Sequence, residues 1–480
     1  MKARIFAEAN RKWWTLAALS FALFMIMLDN TIVNVALPSI QRSLHIGVSE
    51  LEWVVTGYAL SFAVLMLTGG KLADMYGRRR VFLLGLAVFS LSSLACGLAG
   101  SAGLLIGARV VQGAGAALMM PATLSIISAT FPPRERGAAL GTWAGVSAVA
   151  LAIGPLVGGL ITEHISWHWI FYVNVPVGAL AIAATILIVP ESRDTSHEQR
   201  LDVPGLVVSG VGLFALVFAL IEANRYGWSS ATVLALFAVA AIALAAFVLL
   251  EFHQRLPMMD LSLFRQGTFA GANVVALLVS LAMFGVFFFV SLYMQNVLGY
   301  SAVKAGATFL PMTVLIILVA PAAGKASDRF GSRWLMTAGM SLVGVSLLLY
   351  AQLDAGSGFW NLLPAMLTGG IGMAMSMSPM TAAALSAVPV DKAGVGSGIL
   401  NTFRQVGGAL GIAIMGAILA ERSASALAHG ASRQEAFMAG FTRSLYVAAA
   451  FAFGAALIAA VLVRTHHEPL RARVEEPAAA

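Results

Sequence analysis

Residues 70–79 read GKLADMYGRR, and residues 324–333 read GKASDRFGSR. Both fit the pattern G-K-x-x-D-x-x-G-x-R, and each matched residue of the second copy lies 254 positions after its counterpart, as 324 does after 70. Each copy joins two long apolar runs, which is not typical of a loop on a soluble domain. Repetition at a fixed spacing indicates an internal duplication. The chain is therefore predicted to contain two related halves, with the functional site between them.

The composition indicates a membrane protein. Of 480 residues, 59% are hydrophobic and 11% are charged, and the mean hydropathy is +0.87. A soluble domain carries about 25% charged residues. Long apolar runs in lipid must satisfy their backbone hydrogen bonds internally, so an all-α polytopic membrane protein is expected. The net charge of +7 would suggest nucleic acid in a soluble protein; here it follows from topology, and no nucleic-acid partner is expected.

Fourteen apolar segments approach or exceed the length, about 20 residues, that crosses roughly 30 Å of hydrocarbon. The predicted spans are 14–37, 51–73, 81–100, 104–129, 138–161, 168–189, 204–223, 231–251, 268–295, 304–323, 334–352, 360–385, 395–420 and 443–464. Of the 29 Lys and Arg residues, six fall in the loops of one side, namely Arg42, Arg225, Lys304, Arg422, Arg433 and Arg443. Because Lys and Arg accumulate on the cytoplasmic side, both termini are predicted to be cytoplasmic.

The positions of the two loop copies also indicate how the helices are divided between the halves. They follow the second and the tenth predicted span, so each half has six helices and two helices are inserted between the halves. The predicted organisation is an N-terminal six-helix bundle at 1–189, a cytoplasmic linker at 190–203, two inserted helices at 204–251, a cytoplasmic linker at 252–267, a C-terminal six-helix bundle at 268–464 and a cytoplasmic tail at 465–480.

Two opposite charges lie at similar depth within predicted spans. A charge near the bilayer centre costs about 2.5–3.5 kcal/mol, so it needs a partner or a wet cavity. Asp29 lies in the outer half of the first span and Arg109 in the outer half of the fourth. They could form a permanent salt bridge, or Asp29 could exchange Arg109 for a proton. The polar neighbours Asn34 and Gln112 favour a cavity.

Other polar residues in the spans allow two interpretations. Arg404 has no obvious acidic mate in the second half, and it either faces an anionic group or anchors helices. Glu222 lies at the outer end of the seventh span and is expected to be solvated at the interface. The residues predicted to line a substrate cavity are Asn34, Trp53, Tyr58, Gln112, Asn401, Arg404 and Gln405.

Two further residue sets suggest moving parts. Carboxylates and arginines at a helix junction can bond neighbouring helix ends in one conformation and release them in another. The predicted latch consists of Gly70, Asp74, Gly77, Arg78, Asp328 and Arg329. Small residues allow close helix approach, and a proline removes a backbone donor. The predicted hinge of the fifth span consists of Gly145, Gly154, Pro155, Gly158 and Gly159.

No catalytic or metal-binding constellation is present in the sequence. The single Cys96 excludes an intrachain disulfide, and no phosphate-binding G-x-x-x-x-G-K-[ST] occurs. An enzyme is therefore not expected, and neither is a cofactor. Energy for transport would come from an ion gradient.

These motifs resemble those of the major facilitator superfamily over nearly the whole chain. The loop at 70–80 is similar to its motif A, RVVQG at 109–113 to motif B, whose arginine is implicated in proton transfer, and GPLVGG at 154–159 with Gly145 to the exporter-associated motif C. LDNTIVNVALP at 28–38 and WHWIFYVNVP at 167–176 resemble the fourteen-helix drug:proton antiporter branch.

The resemblance implies proton-coupled export of amphipathic small molecules across the cytoplasmic membrane by alternating access. Asp29 would be the protonation site and Arg109 would modulate it. The segment 304–323 lacks the additional acidic residue of some members, which disfavours divalent cations as substrates. The alternatives are a proton-coupled importer of a metabolite and a non-transporting sensor or scaffold. Expected partners are a small-molecule substrate and membrane lipid; a monomer is expected, and a periplasmic adaptor is left open.

Overall fold

The computed structural model describes residues 8–193, 200–254, 257–389 and 392–464, and these form helices and short connections without strands. The α-helices are α1 (Glu8–Leu44), α2 (Val48–Tyr76), α3 (Arg78–Gly97), α4 (Ala102–Thr130), α5 (Pro133–His164), α6 (Trp169–Tyr172), α7 (Asn174–Ile188), α8 (Val203–Tyr226), α9 (Ala231–His253), α10 (Gly267–Leu292), α11 (Ala302–Thr308), α12 (Leu310–Phe330), α13 (Ser332–Tyr350), α14 (Phe359–Ser386), α15 (Ala393–Ala428) and α16 (Arg433–Leu462). A short 3₁₀ helix (Leu261–Arg265) precedes α10 and a π-helical turn (Tyr293–Val297) follows it. The predicted tail at 465–480 lies outside the described residues.

Within the described residues, thirteen helical segments are long and apolar enough to cross a membrane. They correspond to every predicted span except 360–385. That span is α14, which has 28 residues but many Gly, Ser, Thr and Pro. Its glycines lie against neighbouring backbones: a Cβ on Gly370 would stand 2.6 Å from the oxygen of Met312. The chain is thus a multi-pass membrane protein. The small residues of α14 are typical of a helix that packs against other helices rather than against lipid.

The structure corrects several predicted boundaries. The span at 168–189 is broken at Val173 into α6 and α7, and the span at 304–323 is broken at Phe309 into α11 and α12. Other helices continue beyond the apolar run, because backbone hydrogen bonding carries a helix into water where hydropathy no longer marks it. All five arginines predicted to lie in the outer loops are therefore on helices, namely Arg42, Arg225, Arg422, Arg433 and Arg443.

Helix packing repeats the duplication. In the first half α1 packs on α5, α2 and α3 pack on α4, and α3 packs on α7. In the second half α10 packs on α15, α12 and α13 pack on α14, and α13 packs on α16. Each pair in the first set has its counterpart in the second. The two halves therefore share an arrangement of helices as well as a loop.

The two loop copies also share their backbone conformation. Only Gly77 separates α2 from α3, and only Gly331 separates α12 from α13. Their φ angles are 111° and 81°, a region that glycine enters without the clash of a Cβ. Each glycine N–H donates to the carbonyl four residues earlier, on Ala73 and Ser327. The glycines of the repeated motif are thus required by the same sharp turn.

Hydrogen bonds join the two halves at the end predicted to face outside. Ser291 Oγ donates to the carbonyl of Asn34 at 3.0 Å, and Gln295 Nε2 donates to the carbonyl of Val35 at 2.9 Å. The carboxylate of Glu163 on α5 accepts the N–H of Val303 at 2.7 Å. These bonds tie α1 to the end of α10, and α5 to α11. A second seam runs between α2 and α15.

The inserted helices cover the seam between α2 and α15. Helices α8 and α9 pack on each other, and α8 also packs on α2 and α15. Only 17% of the most apolar part of α9 is buried, so most of its apolar surface is free to contact lipid. At the end predicted to be cytoplasmic, Asp260 accepts the ammonium of Lys392 at 2.7 Å. Partial burial acts to raise the pKa of Asp260, but hydrogen bonds from Lys392 and Ser262 outweigh it and lower the pKa.

Candidate functional site

The two charges predicted to lie at similar depth form an ion pair. Arg109 Nη1 on α4 is 2.5 Å from Asp29 Oδ2 on α1, and both side chains are at most 1% exposed. The pairing allowed by the sequence is therefore present. A buried charge left without its partner costs about 3–5 kcal/mol, so this pair strongly couples α1 to α4.

Polar side chains complete the surroundings of the Asp29 carboxylate. Its Oδ1 accepts the amide of Gln112 and the amide of Asn174, each at 3.1 Å. Gln112 also accepts from Arg109 at 2.8 Å, and Asn174 donates to Ser93 Oγ at 3.0 Å. The ionised carboxylate thus has three donors from α4 and α7. We call Asp29, Arg109, Gln112 and Asn174 the Asp29 network.

Arg109 has partners besides the carboxylate. Its Nε donates to the carbonyl of Val54 on α2 at 3.1 Å, and its guanidinium carbon lies 4.2 Å above the ring centre of Tyr58. A cation over an aromatic face gains about 0.5–2 kcal/mol. Arg109 would therefore keep acceptors on Val54 and Gln112 if Asp29 became neutral. This arrangement permits protonation of Asp29 without leaving the guanidinium unsolvated.

Sequence reasoning missed Asn174 and Ser93. Asn174 belongs to the stretch WHWIFYVNVP, which carries part of the family resemblance. The resemblance did not predict a role for this residue. It begins α7 after the break at Val173, and the break brings its amide towards α1. Ser93 is one of several serines on α3 and donates to the carbonyl of Phe171 at 2.9 Å. No pattern in the sequence distinguishes it from its neighbours.

The predicted hinge lies between the Asp29 network and the second half. A Cβ on Gly158 would stand 2.6 Å from the carbonyl oxygen of Ile32, and Gly154 meets Thr31. On another side of α5, Gly159 meets the backbone of Ala302 on α11, and the carbonyl of Pro155 lies against a glycine of α11. Four of the five predicted hinge residues are therefore at helix contacts. The fifth, Gly145, has no atom within 4 Å of a built Cβ.

The first copy of the predicted latch is bonded to the first half and to the linker that follows it. Asp74 Oδ1 accepts from Arg78 Nε at 2.9 Å, one turn along the chain. Arg78 Nη1 also approaches the carbonyl of Ser125 on α4 at 3.5 Å. Gly70 contacts Pro121 on the same helix α4. The backbone N–H groups of Arg78 and Arg79 donate to Ser192 and Glu191 of the following linker at 2.9 and 3.0 Å. These bonds hold the loop to its own half and to the linker at 190–203.

The second copy of the latch is more exposed. Arg329 is exposed and lies 5.2 Å from the ring centre of Phe330. Ser327 and Ser332 share a hydrogen bond of 2.7 Å across the glycine turn. The side chain of Asp328 lies outside the described part. The structure therefore repeats the glycine turn of the latch in both halves.

The residues predicted to line a cavity do not form one surface. Tyr58 and Gln112 belong to the surroundings of Asp29 and Arg109, as described above. Asn34 is buried where α1 meets α10, and it donates to the carbonyl of Asn30 at 3.1 Å. Trp53 faces the insert, where it packs against Phe214 and Phe218. The polar residues of α2 and α4 are thus divided between two faces.

The three predicted residues of α15 lie together on that helix. Asn401 donates to the carbonyl of Ser397 at 3.0 Å, and Gln405 is buried. Arg404 Nη2 donates to Thr381 Oγ1 on α14 at 2.8 Å. Nε of Arg404 is buried without a hydrogen-bond partner. This arginine is consistent with either of the roles that the sequence allowed.

An apolar cavity lies beside these residues. It has a volume of about 270 Å³ and is enclosed by α2, α8, α9, α10, α15 and the connection before α10. Leu67, Phe247, Met258, Phe264 and Phe403 contribute to its walls. The inserted helices therefore help to build a pocket suited to an apolar group, a feature that the repeat alone did not indicate.

The expectation that Glu222 is solvated at the interface is wrong. Glu222 is 7% exposed, and its Oε1 accepts the indole N–H of Trp53 at 3.2 Å. Glu52, which sequence reasoning passed over, is 3% exposed in the same seam. An acidic residue beside Trp53 at the start of an apolar span was the available signal. Its burial depends on how α8 packs on α2, which hydropathy does not reveal.

The helices and the buried site define a class of protein. Two like halves of membrane-length helices, joined along two seams and holding an ion pair inside one half, have the architecture of alternating-access transporters. The profile of the Major Facilitator Superfamily matches residues 19–412. The chain belongs to this superfamily, whose members are transporters rather than enzymes.

Several relatives are antibiotic-resistance proteins. The chain is 40% identical over 420 residues to the methylenomycin A resistance protein of Streptomyces coelicolor, with 87% of each chain covered. It is 38% identical over 413 residues to the tetracenomycin C resistance and export protein of Streptomyces glaucescens, covering 86% of this chain and 77% of that one. A bacterial homologue of the human lysosomal transporter Spinster has the same fold, with a TM-score of 0.67, 17% identity, and 95% and 97% of the two chains covered.

Proposed function

We propose that this protein exports amphipathic small molecules, such as antibiotics, from the cytoplasm in exchange for protons. The observation that carries the proposal is the ion pair of Asp29 and Arg109, buried inside a chain whose relatives confer antibiotic resistance. A buried carboxylate beside an arginine can bind a proton in place of the cation. The proton gradient would supply the energy, and no cofactor is required.

The proposed topology is fourteen spans arranged as six, two and six, in the cytoplasmic membrane and with both termini inside. The paired packing of the halves and the position of α8 and α9 between them support this division at 1–189, 204–251 and 268–464, with cytoplasmic linkers at 190–203 and 252–267. With the termini inside, the contacts of α5 with α11 close the outer end. The first half of α5 faces open space at Gly141 and Gly145, as expected of an inward-facing state.

The proposed cycle uses the Asp29 network. In the inward-facing state Asp29 loses its proton to the cytoplasm and pairs with Arg109, and substrate binds from the inner side. After the outer end opens and substrate leaves, a proton from outside neutralises Asp29. Arg109 then remains on Val54, Gln112 and the ring of Tyr58. The close contact of Gly158 with α1 would transmit this change to α5.

Efflux by the Asp29→Asn variant in proteoliposomes tests the proposal. Asparagine cannot exchange a proton, so drug efflux driven by a pH gradient should fall to the level of empty liposomes while equilibrium drug binding remains measurable. The double variant Asp29→Asn with Arg109→Gln is the matched control for folding, because it also removes the unpaired buried charge. It should be better folded than the single variant and equally uncoupled. Full antiport by Asp29→Asn would refute the assignment.

Two rival functions make different predictions. A proton-coupled importer moves substrate in the same direction as protons, whereas the proposed exporter moves substrate in the opposite direction. The direction of substrate movement in inside-out vesicles with an imposed proton gradient distinguishes the two. A sensor or scaffold would move no substrate in either preparation. The similarity to resistance proteins favours export. A monomer is proposed as the working unit, and a periplasmic adaptor is not required for these assays.

A further inference from the structure

A second acidic site lies where three helices meet at the proposed outer end. Glu52 on α2 and Glu222 on α8 are 3% and 7% exposed. The carboxylate of Glu52 lies flat against α15: a Cβ built on Gly416 would stand 2.7 Å from Glu52 Oε2. Asn224, near Glu222, donates to the carbonyl of Ala417 on α15 at 2.8 Å. The site therefore includes one helix from each half and one from the insert.

The two carboxylates lack the donors that two buried negative charges would need. Oε2 of Glu52 is buried without a hydrogen-bond partner, and so is Oε2 of Glu222. Glu222 has the indole of Trp53 on its other oxygen, and a distant contact of 3.7 Å to Arg225, whose side chain is 71% exposed. An exposed ion pair contributes at most about 1 kcal/mol. Arg225 is therefore a weak counter-ion for this pair.

No other surrounding helix supplies a free buried cation in the described part. The charged residues of the neighbouring segments include Glu50 on α2, Asp29 on α1, Arg109 on α4, and Glu421 and Arg422 on α15. Arg42 on α1 and Arg433 and Arg443 on α16 are at the same end, and all three are exposed. Arg109 is engaged by Asp29. Glu50 binds the N–H of Gly47 at the start of its helix, and the two residues of α15 are exposed. Glu52 and Glu222 thus lie in one seam, and no buried cation of the described residues compensates their charge.

We propose that Glu52 and Glu222 share a proton that is held while the outer ends of α2, α8 and α15 are together and is released to external water when they separate. Like charges in a shared low-dielectric site do not both ionise, so a closed seam requires at least one neutral carboxyl. Separation of the helices would hydrate both groups and remove that requirement. This site is distinct from the Asp29 network, which lies between α1, α4 and α7.

The shared proton would link external pH to the conformation of the transporter. This link rests on the proposed alternating access. A group that binds a proton only in one state favours that state at low pH. External acid would therefore stabilise the closed outer end and speed the return of the empty transporter to the inward-facing state. External alkali would favour the outward-facing state. This direction agrees with an exporter driven by inward proton movement.

The test is a distance measurement across the outer end. Spin labels at Ser43→Cys on α1 and Ala424→Cys on α15 use exposed positions in different halves. Cys96 is fully buried and would not be labelled. Pulsed electron resonance on the full-length protein in nanodiscs, from about pH 5 to about pH 9, reports the open and closed populations. For one linked proton their ratio changes by up to about tenfold per pH unit.

In the doubly labelled protein with Glu52 and Glu222 intact, we expect the population with the longer distance between the labels to grow as pH rises. Glu52→Gln, a permanent neutral mimic, should remain closed and lose this pH dependence. Glu222→Gln should behave likewise, and it provides a second variant because its amide oxygen can still accept from Trp53. The matched control is Glu421→Gln, which removes an exposed carboxylate from the same end and should leave the titration unchanged.

Retention of the full pH response in Glu52→Gln and Glu222→Gln would overturn the shared-proton site, as would equal loss in Glu421→Gln. This readout needs no drug and no gradient, so it is separate from the efflux assay of Asp29→Asn. A pH-dependent distance change that requires Glu52, in a protein without coupled drug efflux, would contradict the proposed function alone. Conversely, coupled efflux without a response that depends on Glu52 would affect this inference alone.

Discussion

Asn174 provides a quantitative test of how the Asp29 network sets proton release. Its amide donates to Asp29 Oδ1 at 3.1 Å and to Ser93 Oγ at 3.0 Å. A hydrogen bond to a charged group contributes about 1.5–3 kcal/mol. Because about 1.4 kcal/mol corresponds to one pH unit, losing this bond in Asn174→Ala should displace the pH profile of transport upwards by roughly one to two pH units. Asp29 keeps Arg109 and Gln112, so the variant should fold.

The assay is drug efflux from the cytoplasmic face in proteoliposomes, at a constant pH difference and a varied cytoplasmic-side pH. Release of the proton precedes drug binding in the proposed cycle. The pH of half-maximal rate should therefore rise by that amount in Asn174→Ala, with a smaller change in the maximal rate.

Asn273→Ala is the matched control for this experiment. Asn273 is a fully buried asparagine on α10 whose amide donates at 2.8 Å to Phe269 of its own helix. Its replacement should leave the pH profile in place. An unchanged profile in Asn174→Ala, or the same displacement in Asn273→Ala, would refute the claim that the amide of Asn174 stabilises ionised Asp29.

Two further variants test the proposed moving parts. Asp74→Asn replaces the charged acceptor of a bond at 2.9 Å in the latch, and it should slow drug turnover several-fold with little change in affinity; an unaltered turnover rate, with unaltered inward and outward populations, would count against the latch. Gly158→Val would place a side chain against the carbonyl of Ile32, where a Cβ alone stands at 2.6 Å, and overpacking of this kind costs about 1–3 kcal/mol. We expect lower thermal stability and loss of transport, whereas Gly145→Ala, at a position without neighbours within 4 Å, should be close to neutral; equal behaviour of the two variants would contradict the assigned contact.

The sequence was sufficient for the features that depend on local composition and on position along a helix. Apolar runs of membrane length follow from the cost of burying unpaired backbone groups in lipid, and thirteen of the fourteen predicted spans meet that criterion in the structure. The depth of a residue follows from its distance along the run at 1.5 Å per residue. That reasoning placed Asp29 and Arg109 at similar depth, and the structure pairs them.

Tertiary structure alone decided which face of each helix meets which neighbour. Asn174 reaches Asp29 because a helix breaks at Val173, and Glu52 is buried because α8 packs on α2. The rotation of a helix about its axis is determined by the fit of its side chains against helices far apart in the chain. Hydropathy hardly distinguishes one rotation of an apolar helix from another. The amino-acid sequence thus suffices to predict a protein that crosses the membrane as two repeated halves, with two opposite charges at similar depth. The hydrogen-bond partners of that pair, and the second acidic site in the seam, were decided by helix packing.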